Sequence, residues 1–278
     1  MPECRGTPLI RPAVERLRDD PAMTTPAQEA AAQFLYAARR SRTPGPRIPV
    51  DARPADVADA LAIQKRVGEL VGQPAGGWKC SVPSDPRPVL AAPIFAPTIV
   101  STSPCPVIAS SATAKIEPEI AFIVARDLPA RATAYSDAEI RSALREARFV
   151  LELIGPRYAD PAAITFPELL ADSVANLGLF VGPVVPDALA RPLEAFPLTV
   201  RSGDKVLATR DGQHPDGHPL RPLYWLANYL AARGDPLRAG QIVTTGSYCG
   251  VIEVPFDMPL TIQYGDLGSL AVTLTRAA

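Results

Sequence analysis

The chain has 278 residues, 47% of them apolar, with 28 basic and 29 acidic side chains and a formal net charge of −1. This balance fits a soluble globular protein and carries no basic footprint for nucleic acid; no apolar run reaches membrane-spanning length, so neither partner is expected. The start lacks the positive–apolar–small order of a secretory leader, and Cys4, Cys80, Cys105 and Cys249 lack metal-type spacing. Free thiols in a reducing, cytoplasmic setting follow as expectations.

Residues 1–24 are polar and proline-punctuated, and are expected to be a disordered segment or an extension upstream of a second possible start at Met23. Thr25-Pro26 then predicts a helix, with Thr25 as cap and Pro26 in the first turn, running to about residue 40. A second helix is predicted over about 55–70. After the turn 73–77 comes a short apolar strand, Trp78-Lys79-Cys80-Ser81-Val82, in which Lys79 is either an ordinary surface lysine or a functional one. Ser84-Asp85-Pro86-Arg87-Pro88 reads as a loop able to act as a lid.

Residues 115–126 read as a strand. Ile116, Pro118, Ile120 and Phe122 fall on one face at period two, and Glu117 and Glu119 on the other. Their Cα atoms are then about 7 Å apart. A solvated strand face and a hard-cation site both fit such a pair. Pro118 cannot donate a ladder hydrogen bond, which predicts an edge, a bulge or a strand start here. Ser136-Asp137-Ala138-Glu139 matches a capping box, predicting a helix to about 147. Phe149 to Ile154 reads as a strand with Glu152 inside it. That carboxylate must be paired, protonated or bound to a cation, and Arg157 is the obvious structural partner.

Residues 170–176 predict a polar turn or short helix before a strand over 178–181. A hairpin follows around Ser202-Gly203-Asp204. Next come a helix from His218 to about 232 and short strands over 242–245, 251–254, 260–264 and 269–275. Helices first and many short strands afterwards favour an α+β fold with a rolled or barrel-like sheet. There is no dinucleotide fingerprint, no P-loop and no Gly-x-Ser-x-Gly. The only histidines, His214 and His218, lie in one loop, which argues against a histidine zinc site. Glu117, Glu119 and Glu152 remain, a set whose oxygen ligands suit Mg²⁺ or Mn²⁺.

These residues resemble the fumarylacetoacetate hydrolase superfamily, in its branch of 2-keto-4-pentenoate hydratases and 4-oxalocrotonate decarboxylases. The resemblance is carried by Gly77-Trp78-Lys79, by Ile116-Glu117-Pro118-Glu119-Ile120-Ala121-Phe122, and by Leu151-Glu152-Leu153-Ile154 with Arg157 and Asp160. It continues in Ala171-Asp172 through Gly182, His218-Pro219-Leu220 with Trp225-Leu226-Ala227-Asn228, Gly240 through Ser247, and Gly265-Asp266-Leu267-Gly268-Ser269. It runs from about residue 25 to the C-terminus. The chain departs from the branch's usual pattern at Gly155, at Pro97, and at Cys80 and Cys249.

The resemblance implies one catalytic domain over 25–278, with a helical part at 25–75 and a mixed β-roll of the superfamily's C-terminal-domain type at 76–278. It implies a divalent metal held by Glu117, Glu119 and Glu152, with Lys79 supplying positive charge or a proton. Ser84, Arg157, Asp172, Thr245 and Ser247 are the expected substrate-binding residues. The implied substrate is a small 2-oxo or 2-hydroxydienoic acid, and the implied reaction is hydration to a 4-hydroxy-2-oxo acid. Decarboxylation or C–C hydrolysis of a related 2-oxo acid on the same metal platform is the alternative, and a non-catalytic ligand-binding member of the fold is the third reading. A homo-oligomer is expected, partly because exposed strand edges need cover.

Overall fold

A computed structural model of the chain describes residues 24–277. The expected N-terminal extension lies outside them except for its last residue. Helix α1 (Pro26–Ser41) starts on the predicted capping box: the Thr25 side chain accepts from Gln28 N–H, and the Gln28 side chain accepts from Thr25 N–H. Helix α2 (Val57–Val71) is capped by Asp56 and stopped at Gly72, whose φ of 66° suits glycine. Helix α3 (Asp137–Arg141) is a single capped turn. Helix α4 (Phe166–Ala171) packs with α1 and α2 through Leu35, Ile63, Val67 and Leu170, all fully or almost fully buried. Helix α5 (Leu220–Ala232) lays Leu223, Leu226 and Leu230 against the sheets.

The strands are β1 (Ala75–Ser81), β2 (Leu90–Phe95), β3 (Ile99–Val100), β4 (Cys105–Val107), β5 (Thr113–Val124), β6 (Leu144–Ile154) and β7 (Asn176–Val184). They continue with β8 (Ala195–Ser202), β9 (Lys205–Gln213), β10 (Ile242–Thr244), β11 (Ile252–Pro255), β12 (Pro259–Tyr264) and β13 (Gly268–Arg276). The larger sheet runs β2-β1-β10-β5-β6-β7-β3, with β11 also on β5; the smaller runs β4-β13-β12-β8-β9. Both are mixed, with β1–β10, β3–β7 and β4–β13 parallel. This is the expected α+β architecture with curled mixed sheets.

The main core lies between the sheets. Ile116, Ile120 and Phe122 of β5 and Phe149 and Leu151 of β6 face Ile262, Tyr264 and Leu270 of the smaller sheet. Tyr264 packs on Phe149 with ring centroids 4.6 Å apart and donates its hydroxyl to Val150 O at 2.9 Å. Its polar tip is thereby satisfied inside the core. The other face of β5 and β6 carries Ala121, Ile123 and Val150 in a small separate cluster, and beside it the glutamates.

Two expectations need correcting. The capping box at Ser136 opens only α3, because β6 already begins at Leu144 and pairs with β5 from Leu144↔Val124 to Ile154↔Lys115. Tertiary pairing overrides the local helix signal. Pro118 also does not mark an edge. β5 is central, with β6 along one side; on the other, β10 covers Ala121–Ile123 and β11 covers Thr113–Ile116. Pro118 falls opposite the interval between β10 and β11, where a missing amide proton breaks no ladder. Among the described residues, no helix is long and apolar enough to cross a membrane.

Candidate metal centre

The interval between β10 and β11 is where the acidic side chains gather. Glu117 and Glu152 are directly paired across β5 and β6, so they share a face, and Glu119 lies two residues along the same face. One carboxylate oxygen from each of the three lies within 4.8 Å of the others. Lys79 reaches the same face because β1 pairs with β10 at Lys79↔Thr244 and β10 with β5 at Thr244↔Ala121. Gly77, two residues earlier on β1, permits this approach: a Cβ there would stand 2.4 Å from Ile242 O.

Lys79 Nζ donates to Glu152 Oε1 at 2.5 Å and, more weakly, to Val174 O at 3.4 Å. Asn176 Nδ2 donates to the same Glu152 oxygen at 2.8 Å. Glu152 Oε2 is buried and has no hydrogen-bond partner among the described residues. Glu119 Oε2 accepts from the Thr244 hydroxyl and from Gly246 N–H at 3.0 Å. The fixed donors thus hold one oxygen of Glu119 and one of Glu152.

Charge is unbalanced here. Three carboxylates meet one ammonium in a largely buried setting, with Glu119 and Glu152 only 2% and 1% exposed. Burial, then the charges of Glu152 and Glu117, push the Glu119 carboxyl up; burial and then Glu152 do the same to Glu117. For Lys79, burial is the largest single influence and opposes the charge, but Glu152, Glu117 and Glu119 together outweigh it, so the ammonium is held above its usual range. Surplus negative charge, oxygen-only donors and an orphaned buried carboxylate oxygen fit a hard divalent cation. The residues present therefore suit the metal that the sequence suggested.

The remaining predicted residues are spread more widely. Thr245 is fully buried next to Glu119's donors, its hydroxyl 3.4 Å from His214 Nε2. Asp216 N–H donates to His214 Nδ1 at 3.1 Å, which leaves the ring proton on Nε2 to donate to Thr245. Ser247 donates to Gly250 O at 3.2 Å within its own turn. Ser84 is exposed in the loop after β1, where its N–H donates to Arg87 O at 2.8 Å. Arg87 and Val82 N–H both donate to Asp216, pinning that loop.

Arg157 does not pair with Glu152. It stands 2.8 Å from Asp172, donates to Asn176 O, and so lies behind the cluster rather than in it. Asp172 is fully buried between Arg157 and Arg39, the latter at 3.2 Å. Sequence reasoning missed Thr244, Gly246 and Asn176 as donors to the glutamates. Asn176 was visible as the last polar residue before an apolar strand; the other two depend on cross-strand register.

Asn176 is delivered by an unusual turn. Ser173, Val174 and Ala175 have φ of 59°, 55° and 55°, a left-handed run without glycine. Such residues cost about 1–2 kcal/mol each. The bonds Val174 N–H to Leu169 O at 2.8 Å and Gly155 N–H to Ala175 O at 3.0 Å hold the turn, which also presents Val174 O to Lys79.

No protein-family model matches the chain. It is 30% identical over 216 residues to a 2-keto-4-pentenoate hydratase of Paraburkholderia phymatum, covering 77% of this chain and 74% of that one. It is 33% identical over 170 residues to a 2-keto-4-pentenoate hydratase of Burkholderia vietnamiensis (61% and 63% covered). A 2-hydroxyhexa-2,4-dienoate hydratase of Comamonas testosteroni is 28% identical over 163 residues (58% and 60%). The last two alignments span a little under two thirds of those relatives. In fold, the chain matches the 4-oxalocrotonate decarboxylase of Pseudomonas putida G7, solved with magnesium and adipate, at a TM-score of 0.74 and 20% identity, covering 91% of this chain and 99% of that one.

Proposed function

The chain belongs to the 2-keto-4-pentenoate hydratase family of the fumarylacetoacetate hydrolase superfamily, and from that premise we propose that it is a divalent-metal-dependent hydro-lyase. The substrate is a small 2-hydroxy-2,4-dienoic acid, and the product is the 4-hydroxy-2-oxo acid formed by adding water. The observation that carries this reading is the convergence of Glu117, Glu119 and Glu152, with oxygens within 4.8 Å of one another, beside Lys79, whose Nζ donates to Glu152.

Glu117, Glu119 and Glu152 would hold Mg²⁺ or Mn²⁺, which when bound supplies Lewis acidity toward the oxygens of a 2-oxo acid. The chain's own groups account for the rest. Thr244 and Gly246 fix Glu119, and Asn176 fixes Glu152, so the ligand face is set before anything binds. Lys79 holds a proton and a positive charge at its Nζ, beside the position where negative charge gathers as the dienol ketonises. Its contact with Val174 O aims it. The substrate carboxylate is assigned to the turn of Thr245 and Ser247, together with Ser84 on the loop after β1 that Asp216 pins. Gly246 N–H is already engaged with Glu119 and takes no part. Arg157 and Asp172 brace Asn176 from behind, in place of the substrate contact expected from sequence.

The test is a pair of assays on one preparation, with and without EDTA. One follows loss of 2-hydroxypenta-2,4-dienoate absorbance and the other CO₂ release from 4-oxalocrotonate. EDTA-sensitive dienoate loss giving a 4-hydroxy-2-oxo product is the expected result. CO₂ release without hydration moves the assignment to the decarboxylase reading.

A further inference from the structure

We propose that the cleft between the end of α1 and the 155–157 turn is a second ligand site, built for a small carboxylate anion with an apolar body. The cleft has a volume of about 370 Å³, within the range of small-molecule pockets. Arg39, Arg40, Arg42 and Arg157 line it together with apolar Phe95 and Leu177, and among the described residues no acidic side chain does. Lys79 and the three glutamates are absent from its walls, so it is separate from the metal centre. The inference does not depend on the reaction proposed above.

Charge carries the argument. The Arg39 and Arg157 side chains are only 13% and 6% exposed, and they share one carboxylate, Asp172, at 3.2 and 2.8 Å. Arg157 meets Asp172 Oδ1 through its Nε, and Arg39 meets the same oxygen through Nη2, which also donates to Asp172 O at 2.8 Å; among the described residues, the buried Arg39 Nε has no hydrogen-bond partner. Among the described residues, two buried guanidiniums on one carboxylate leave a positive charge without a counter-charge here, which a poorly solvated site makes costly. The other buried acid of this helical region, Glu168, is already taken by Arg47 and Arg53. In keeping with this, burial and then the charge of Arg157 bring Arg39 down to about 9 against the pull of Asp172.

The geometry selects the ligand class. Guanidinium forks match carboxylates in shape as well as charge. Arg39 lies 5.4 Å over the Phe95 ring and Arg40 5.8 Å over that of Tyr36, so aromatic surface stands beside the cations. Arg40 is exposed on the rim and extends the positive field to solvent, where it draws anions in.

Calorimetric titration of the full chain tests this, after passage over a chelating resin and at low ionic strength. Hexanoate is the probe, and hexanamide, with the same body and no charge, is the control. Hexanoate is expected to bind saturably, with hexanamide at least about tenfold weaker. A variant carrying Arg40→Gln and Arg42→Gln, both exposed positions whose folding is checked by circular dichroism, is expected to lose at least about tenfold in hexanoate affinity. Glu117→Gln is expected to leave it unchanged. Equal binding of the two probes overturns the proposal, as does a lack of saturable heat up to about 10 mM hexanoate. Binding that survives in the arginine variant but is lost in Glu117→Gln overturns it too, by placing the anion at the metal centre.

Discussion

Lys79 and Glu152, 2.5 Å apart and both buried, set what single substitutions should do. Lys79→Ala is expected to cut turnover by at least about 100-fold, since it removes the proton source and the positive charge. Steady-state kinetics showing unchanged turnover would exclude this role. Glu119→Gln keeps acceptors for Thr244 and Gly246 but removes one of three crowded charges. It should stabilise the metal-free protein by about 1 kcal/mol and abolish the further stabilisation that Mg²⁺ gives the parent chain. Thermal melts with and without Mg²⁺ read both signs; a destabilised metal-free variant would contradict the charge argument.

His214 gives a pH prediction away from the ligands. It is 2% exposed, and burial lowers its pKa from 6.5 to about 4; Asp216 pulls it up, while His218 and Arg87 push it further down. Its ring packs edge-on to Tyr248 at 5.2 Å. The unfolded chain therefore binds this proton first as pH falls. Stability from the neutral ring is complete above about 6.5 and is lost toward about pH 4, by roughly 2–3 kcal/mol. Denaturant titrations over that window should show a smaller loss in His214→Gln.

At the scale of elements, the tightest claim concerns the 173–175 turn. Ala175 has φ of 55° and is not buried, so Ala175→Gly should relieve strain and raise stability by about 0.5–1 kcal/mol. A fall in midpoint would show that the turn is not strained there. This turn also marks where sequence reading stops. The capped helices, the hairpin and the Glu-Pro-Glu strand were legible because caps, turn residues and period-two alternation are local signals. The choice of partner for Glu152 was not. Arg157 is five residues away in sequence, but the chain turns at Gly155-Pro156 and carries it to Asp172. Lys79, 73 residues distant, arrives instead through the β1–β10–β5 register. Thr244 and Gly246 were hidden for the same reason. The helix predicted to 147 failed because a capping box specifies a start and not a length.

For the whole molecule, two sheets enclose a core whose outer face carries a charge cluster that apolar burial alone does not balance. A homo-oligomer is expected, partly from the family resemblance and partly from strand edges that need cover, of which β9, an edge of the smaller sheet with Val206 46% exposed, is one. Sedimentation of the purified chain should give a mass above 29.5 kDa, and a monomer at micromolar concentration would contradict it. The most direct test of the account is Mn²⁺ binding followed by electron paramagnetic resonance on resin-treated protein. One saturable site per chain is expected, displaced by Mg²⁺ and weakened at least about 100-fold in Glu152→Gln. Absence of a saturable site, or unchanged affinity in that variant, would contradict it.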